Sequence, residues 1–413
     1  MKALWYKLRN SRALYNRQPF TMVSWRFLLP GQGRAVQLQR HLFLNAWPHL
    51  PRWQWALIGL YNWLSWLLFF AWKMSYHRLK GREAAYRTYP CELPLWRQVV
   101  DLLSLIIPHG IPPRYYYMYG LWRKSRSQLM HYIYSNTAEN WHAVFAAGVS
   151  SETIDLLWDK HAFTKKMAAA GIATVPTVTL LPRGKRVDPE FLFQERALFL
   201  KPNAARNSVG CMALHFDRNT GEYQLHTDRN VSLIEPELIL AEVGLRLLDY
   251  DYLLQPMLQN HPRISSLCTT GRLVTLRLVS GLLKGQPEAM FALLEVPYSD
   301  VPRASYCMNI QLASGKLFSR HPDQSGDYRQ LIDRLEGKVL PFWQEAVDLC
   351  LEAHSLVPDL PVSGWDVAVT PDGPCLLEGN LQWDVEKHQL IMDAPALDGD
   401  LFSTYGKVVR TGC

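Results

Sequence analysis

The residues best suited to chemistry lie near the C-terminus, in the segment GWDVAVTPDGPCLLEGN, which runs from Gly364 to Asn380. Two apolar runs flank a Pro-Asp-Gly-Pro sequence at 371–374, and this pattern predicts two strands joined by a tight turn. Counting back from the turn puts Asp366 opposite Glu378 or its neighbour. Because side chains alternate along a strand, Glu378 and Asn380 share a face. The segment therefore predicts two carboxylates and an amide oxygen on one side of a two-stranded ribbon.

This acidic group indicates a site for a divalent cation. Carboxylates so close to each other repel unless a cation lies between them, and hard oxygen ligands of this kind suit Mg²⁺ that bridges phosphates. The alternative is an exposed polar face without a metal. The apolar residues that flank the acids favour a face lined by protein.

Two basic residues upstream are placed to meet phosphate groups. Lys201 ends a predicted strand at 197–201 and precedes the small-residue loop Asn203–Gly210, whose backbone N–H groups can share phosphate oxygens with the lysine. Arg277 lies within the apolar strand 272–280 and needs an anionic partner. That partner is either a protein carboxylate or a ligand, and the alternative for Lys201 is an ordinary solvated lysine.

The elements that must position these residues begin after Trp158. A helix is predicted from Asp159, which is placed to cap it, through Ala170, and Gly171 suits the left-handed residue that follows. A strand is predicted at 172–178. Short β-branched or Leu-rich strands then alternate with helical stretches, which indicates an α+β or α/β body.

The charge of the chain is unevenly distributed. The 413 residues include 44 Lys and Arg against 37 Asp and Glu, a net charge of +7, yet the first acidic residue is Glu83. Residues 1–82 hold thirteen Lys and Arg, so the remainder carries 31 basic against 37 acidic residues. The sequence therefore predicts a basic N-terminal arm, residues 1–82, joined to a mildly acidic body.

The arm contains an uncharged apolar segment, Trp53 to Trp72, flanked by Arg52 and Lys73. Its length is that of a membrane span. A weak polar stripe along the helix, together with eight tryptophans in residues 1–82, favours a helix that lies in the membrane interface and is held to anionic lipid by its basic flanks. The alternatives are a buried core helix and a true span, and a span would send the acidic body outside.

Other classes of protein fit the sequence poorly. The seven cysteines are scattered without metal-clip or redox spacing, which is typical of a reducing cytoplasm. The N-terminal charges recur without a compact apolar stretch, so no signal peptide is expected. A phosphate-binding surface needs no uncharged run of this length, and nucleic acid is therefore not an expected partner.

Taken in order, these motifs resemble the ATP-grasp superfamily from about residue 156 to the C-terminus. The carrying residues are Asp159-Lys160, Lys201-Pro202, Gln255-Pro256-Met257, Thr275-Leu276-Arg277, Asp366 and Glu378-Gly379-Asn380. The segments QPMLQNHP, VTLRLVS and GWDVAVTPDGPCLLEGN are most similar to the sugar-transfer-associated ATP-grasp group, relatives of glutamate-ligase and glutathione-synthetase-like enzymes. The resemblance implies an α+β fold in which two subdomains clasp ATP, preceded by the basic, Trp-rich helical region.

The implied domains are the arm at 1–82 with its apolar helix at 53–72, a helical domain at 83–157, a small or lid subdomain at 158–257, and a large subdomain with the metal site at 258–413. The resemblance implies one role for each group of site residues. Phosphate contacts fall to Lys201, Arg206, Ser208 and Gly210; the adenine edge to Gln255, Pro256 and Met257; metal ligation to Asp366, Glu378 and Asn380, with Glu378 bridging two ions; and the transferred phosphoryl group to Arg277.

The implied activity is that of a ligase that uses ATP and Mg²⁺, with two ions and with Mn²⁺ as a substitute. A carboxylate attacks the γ-phosphate, and an amine then displaces phosphate from the acyl phosphate to give an amide. With the basic arm, the sequence predicts work on an envelope-polysaccharide or lipid-linked precursor at the cytoplasmic face of the membrane. The alternatives are a non-catalytic nucleotide-binding scaffold for glycan assembly and an ATP-grasp phosphotransferase.

Overall fold

The computed structural model describes residues 21–46, 50–79, 91–204, 209–229, 231–266, 268, 270–299, 305–320 and 326–398. In these ranges the helices are α1 (Arg34–Leu44), α2 (Arg52–Ser65), α3 (Ala71–Leu79), α4 (Leu95–His109), α5 (Arg114–Met118), α6 (Ser135–Ala146), α7 (Ser151–Trp158), α8 (Lys160–Ala169), α9 (Pro189–Leu192), α10 (Pro236–Arg246), α11 (Pro262–Ser265), α12 (Gly326–Leu335), α13 (Trp343–Ser355) and α14 (Val385–Met392). The strands are β1 (Thr179–Leu181), β2 (Leu198–Pro202), β3 (Met212–Phe216), β4 (Tyr223–Thr227), β5 (Ser232–Leu233), β6 (Tyr252–Pro256), β7 (Thr275–Leu283), β8 (Gln286–Pro297), β9 (Ser305–Ile310), β10 (Leu317–Phe318), β11 (Val362–Thr370) and β12 (Gly373–Asn380).

These elements form two compact units. Unit 1 comprises the described residues within 1–147, 320–329 and 384–413, and unit 2 those within 148–319 and 330–383. The N-terminal helices and α14 thus belong to unit 1, and all twelve strands of the described residues belong to unit 2. The domain boundaries predicted after residues 82, 157 and 257 stay predictions.

Unit 2 contains two six-stranded antiparallel sheets. Sheet 1 has the order β1-β6-β2-β3-β4-β5, and sheet 2 the order β10-β9-β8-β7-β11-β12. In sheet 1 the inward side chains of the central strands, such as Leu198, Leu200 and Leu254, are fully buried. They form one core with Ile239 and Val243 of α10. The leucines of these Leu-rich predicted strands therefore form the core face of the sheet.

The helix predicted from Asp159 is confirmed. The Asp159 side chain accepts a hydrogen bond from the Ala162 N–H at 2.9 Å, and α8 runs to Ala169. Gly171 follows with φ of +83°, the left-handed backbone that glycine adopts without strain.

The strand predicted at 172–178 is wrong, since β1 begins only at Thr179. Pro176 lacks the N–H that a strand ladder needs. In this stretch Thr174 forms a single bridge with Leu376, and Val178 donates to Leu254 O at 2.8 Å. Regular pairing therefore starts three residues after the proline.

Unit 1 is an assembly of helices around an aromatic core. Trp66 is completely buried and belongs to one cluster with Leu105 and Ile106 of α4 and with the tyrosines around α5. Burial raises the pKa of Tyr115 well above its usual value, so this residue stays a neutral hydrogen-bond donor. Its hydroxyl donates to Glu386 of α14, which Arg114 also contacts at 3.0 Å.

Helices α2 and α3 are joined by a π-helical turn, Trp66–Phe70, into one long helix. In the described part of the chain, Arg52–Tyr76 is the one helix of a length and composition that could cross a membrane, and 22% of its apolar window is buried. The buried positions include polar Asn62. The exposed large side chains are Trp53, Leu57, Leu60, Tyr61, Leu64, Leu68, Phe69, Trp72 and Tyr76. The helix therefore turns its polar position inward and an apolar face outward, the reverse of a soluble surface helix.

Candidate active site

The predicted acidic pair lies on the β11–β12 hairpin. Asp366 and Glu378 face each other in the register of the two strands, and Asn380 follows two residues later on the same face. The Asn380 side chain donates to Asp366 Oδ2 at 3.3 Å and lies 3.5 Å from Glu378 Oε1. The three residues predicted to bind metal are therefore brought together.

A β-bulge sets this arrangement. The register pairs Val367 with Leu376 and Asp366 with Glu378, which leaves Leu377 without an opposing residue. The extra residue reverses the side-chain alternation between Leu376 and Glu378. Without it, Leu377 would lie opposite Asp366 and Glu378 would point to the other face of the sheet.

Arg277 is bound directly to this acidic pair. It lies on β7, opposite Asp366 on the neighbouring strand β11. Its Nε and Nη2 both donate to the Asp366 carboxylate, the second at 2.8 Å. The anionic partner that the sequence required for Arg277 is thus a protein carboxylate, held in the bidentate geometry that only arginine provides.

Two lysines complete the site. Lys160 Nζ, at the start of α8, lies 3.6 Å from Glu378 Oε2. Lys201, at the end of β2, is 8% exposed, and burial lowers its pKa while Glu378 opposes that change. Asn203 holds the two chain segments together, because its Oδ1 accepts from the His161 N–H at 2.9 Å and its Nδ2 donates to Asp159 Oδ1 at 3.0 Å.

Lys160 had no assigned role in the sequence interpretation beyond membership of the Asp159-Lys160 motif. Its position follows from the cap, since a residue directly after a helix N-cap is fixed in direction by the first turn. The signal that could have found it is therefore the capping aspartate, which forces Lys160 to begin the helix.

The surroundings of the site change the pKa values of the two acids in opposite directions. Burial raises the pKa of Asp366, and the neighbouring charge of Glu378 adds to this, whereas Arg277 opposes it. Burial also acts to raise the pKa of Glu378, but Lys160, Lys201 and Arg277 together hold it below its usual value. Glu378 is therefore the firmly ionised member of the pair.

The donor set fits Mg²⁺. Two facing carboxylates supply hard oxygen atoms, and the Asn380 amide can present its oxygen to an ion by the flip that exchanges its O and N positions. Among the described residues no three His, Cys, Asp or Glu side chains cluster as a metal site. The role of Asp366, Glu378 and Asn380 as metal ligands stays a prediction.

The predicted phosphate loop is described only in part. Arg206 and Ser208 lie outside the described residues. Gly210 has φ of +81°, and a Cβ there would lie 2.8 Å from the Tyr252 hydroxyl, so only glycine fits. Its N–H donates to Asp228 Oδ2 at 2.7 Å. The end of the loop is thus fixed against sheet 1.

The predicted adenine-binding segment lies at the end of β6. Gln255 is 2% exposed and donates to Val175 O at 3.3 Å. The Met257 N–H donates to Ala197 O at 3.1 Å, and Pro256 lies opposite Leu198 in the sheet. Sheet pairing therefore holds this segment beside Lys201, and its role toward adenine stays a prediction.

Behind the acidic pair lies a buried chain of hydrogen bonds. Trp365 Nε1–H donates to Ser280 Oγ at 2.7 Å, and Ser280 Oγ lies 2.7 Å from His354 Nδ1. His354 Nε2 lies 2.7 Å from the carbonyl of Leu360, which can only accept. The imidazole proton is therefore on Nε2, and Nδ1 accepts from the serine. This chain joins β7, β11 and α13 next to Asp366.

We expect the free energy of unfolding to fall as the pH drops below 6.5, through this histidine. Burial lowers the pKa of His354, so the unfolded chain binds a proton that the folded chain refuses, and stability present above the unfolded pKa is lost in acid. Urea titrations at pH 7 and pH 5 measure the loss. His354→Gln, which has no proton to gain, should show a smaller loss than the wild type, and an equal loss in both would contradict the assignment.

Comparison with known proteins places this chain in one family. The model of the sugar-transfer-associated ATP-grasp family matches residues 150–399, more than half of the chain. Among solved structures, D-alanyl-alanine synthetase A from Vibrio cholerae is 14% identical with a TM-score of 0.40, over 64% of this chain and 68% of that one. D-Alanine–D-alanine ligase from Helicobacter pylori is 13% identical with a TM-score of 0.40, over 64% and 63%. The biotin carboxylase domain of the Hydrogenobacter thermophilus 2-oxoglutarate carboxylase, in complex with MgADP, is 13% identical with a TM-score of 0.40, over 67% and 52%. No curated protein matches the chain in sequence.

Proposed function

Because the chain belongs to the sugar-transfer-associated ATP-grasp family, we propose that it is an ATP-dependent carboxylate–amine ligase. In the proposed reaction a substrate carboxylate accepts the terminal phosphoryl group of ATP as the bond to ADP breaks. A substrate amine then attacks the acyl carbon, phosphate leaves, and the amine loses its proton as the amide forms. The substrates are small-molecule or glycan acids and amines.

One observation carries this proposal: the meeting of two carboxylates with three cations in unit 2. Asp366 and Glu378 are suited to hold Mg²⁺, while Lys160 and Lys201 offer positive charge to phosphate oxygens. Phosphoryl transfer needs mainly positioning and neutralisation of charge, and this set supplies both.

The residues of the chain divide this work. Asp366, Glu378 and Asn380 would hold Mg²⁺, as one ion or as two with Glu378 between them, and the metal would supply charge neutralisation and Lewis-acid polarisation of phosphoryl oxygens. Arg277 orients the Asp366 carboxylate through its two hydrogen bonds. Lys160 and Lys201 bind phosphate and keep Glu378 ionised. The substrate acid is itself the nucleophile, so the protein needs none.

Turnover with a panel of candidate acids and amines tests the proposal. We expect ADP formation that requires both substrates and a product that contains both, detected by mass spectrometry. ADP and a stable phosphorylated acid without any amine would instead indicate a phosphotransferase. ATP binding without turnover for any pair would support the scaffold alternative.

We further propose that the enzyme works at the inner face of the membrane on an envelope-glycan or lipid-linked precursor. The support is the outward apolar face of α2 and α3, combined with a complete absence of acidic residues from 1–82. An apolar surface with only basic neighbours is suited to an anionic lipid interface.

We expect the double substitution Leu60→Glu and Leu68→Glu to move the protein from the membrane to the soluble fraction. These side chains are 55% and 59% exposed, so the change removes lipid contact without opening the core. The matched control is Leu245→Glu with Leu248→Glu, at 61% and 65% exposure in unit 2. Fractionation of expressing cells measures partitioning, and the same distribution for both pairs would contradict the docking face.

A further inference from the structure

Unit 1 contains a groove of about 430 Å³ beside the N-terminal half of α4. Its lining includes the basic side chains of Arg97, Lys124 and Arg126, and a single carboxylate, that of Asp101. Lys124 is paired outside this set, since its Nζ lies 2.8 Å from Asp393 Oδ1. None of the residues that line the groove belongs to the candidate active site, whose residues all belong to unit 2.

Asp101 holds the two arginines at the groove. Its Oδ1 lies 3.6 Å from Arg97 Nε and 3.7 Å from Arg126 Nη2, and its Oδ2 accepts from the Tyr116 hydroxyl at 3.1 Å. Arg126 also donates to Ser104 Oγ. The carboxylate is 11% exposed, whereas the arginine side chains are 53% and 55% exposed. One buried negative charge thus lies within ion-pair distance of two half-exposed guanidinium groups, which leaves a net positive charge at the groove.

The groove adjoins an apolar surface. Trp96 lines it and is itself 65% exposed, next to exposed Leu95, Val99 and Val100 on the same face of α4. Ile107 continues that face toward the end of the helix. A site with guanidinium groups on one side of a tryptophan and aliphatic side chains on the other matches an amphiphile with an anionic head.

We propose that this groove binds the phosphate headgroup of an anionic membrane lipid, with the lipid chains against the apolar face of α4. The inference rests on the proposed docking of unit 1 to the membrane and adds a specific headgroup site on a second helix. Two half-exposed guanidinium groups beside a single carboxylate can offer a phosphodiester several N–H donors. In this arrangement Trp96 would lie at headgroup level, where tryptophan is favoured.

Short-chain phosphatidylglycerol below its micelle concentration tests the site without a bilayer. We expect saturable binding to the full-length protein by calorimetry, and weaker binding of phosphatidylcholine of the same chain length. The double substitution Arg97→Ser and Arg126→Ser should weaken phosphatidylglycerol binding about 25-fold, at about fivefold for each arginine near an anionic headgroup. The control, Arg183→Ser with Arg186→Ser, removes two exposed arginines of unit 2 and should leave binding unchanged.

Three results would overturn the inference. Equal binding of the two lipids would show that the protein does not recognise the headgroup. An equal loss of phosphatidylglycerol binding in both double-arginine variants would show that the overall positive charge of the protein, and not this groove, binds the lipid. Inorganic phosphate that binds as tightly as the lipid would identify a free anion as the occupant.

The assay does not depend on turnover. Lipid binding without ligase activity would therefore refute the proposed reaction alone. The wild-type protein could instead bind the two lipids equally, while the Leu60 and Leu68 substitutions still release it from membranes. That result would refute the headgroup site alone.

Discussion

Glu378→Gln is expected to lower ATP turnover by about a thousandfold or more. The substitution keeps the size of the side chain and removes the charge that faces Asp366 and attracts Lys160. The remaining carboxylate, Asp366, also accepts from Arg277, so Mg²⁺ would keep a single carboxylate ligand whose charge is already partly neutralised. Glu378 would act through the ion that it holds, and loss of one electrostatic stabiliser of the transition state costs two to three orders of magnitude.

The matched control for Glu378→Gln is Glu288→Gln, an exposed carboxylate on β8 of the same sheet. ADP formation at saturating ATP and Mg²⁺ measures the effect, and the control should retain wild-type turnover. A Mg²⁺ titration shows whether binding of the ion is what fails. Full activity of Glu378→Gln would refute the metal assignment and, with it, the proposed active site.

Arg277→Lys is the second substitution with a large expected effect, about a hundredfold in kcat/KM. Lysine keeps the positive charge but cannot donate two parallel hydrogen bonds, so the Asp366 carboxylate loses its fixed direction. Its pKa should also rise further, because Arg277 is the group that opposes the effects of burial and of Glu378. Since Asp366 must be ionised to hold a metal, the acidic limb of the pH profile should move to higher pH.

The pH profile separates this positioning role from a general loss of stability, because a variant that is less stable but still folded would keep its acidic limb at the wild-type pH. Arg272→Lys, just before β7, is the control, as its guanidinium donates to Ser299 O at 2.9 Å and lies outside the acidic pair. An unchanged acidic limb for Arg277→Lys would show that Arg277 does not set the pKa of Asp366.

Local patterns predicted much of unit 2. The cap at Asp159 and the turn between β11 and β12 each depend on a few neighbouring residues, so the sequence contains the whole cause. The partner of Arg277 was left open between a carboxylate and a ligand, because the pairing of β11 with β7 joins residues 89 positions apart. Lys160 was overlooked as a charge partner for the same reason, since Glu378 follows it by more than half the chain.

The N-terminal region was harder to interpret, because apolar composition alone does not say which side of a helix is covered. The segment 53–72 fitted a core helix, an interfacial helix and a span equally in length. The exposure of the side chains shows which side of the helix is covered, since Trp66 lies in the core while Leu68 and Phe69 face outward. Helix α4 was not recognised as a second apolar surface, because its exposed Val99 and Val100 alternate with buried Leu102 and Leu105 in a pattern that also suits ordinary core packing.

The bulge at Leu377 also determines which changes in strand length the hairpin can accept. From Glu378 onward, the face to which each side chain of β12 points depends on Leu377, which has no opposing residue on β11. A one-residue deletion between the turn and Glu378 can be taken up by loss of the bulge, because Asp366 and Val367 would then face Glu378 and Leu376 in regular alternation. A second deletion would have no bulge to take it up, so it would put Gly379 opposite Asp366 and turn Glu378 to the other face of the sheet. The strand is therefore expected to tolerate the loss of one residue here, but not of two.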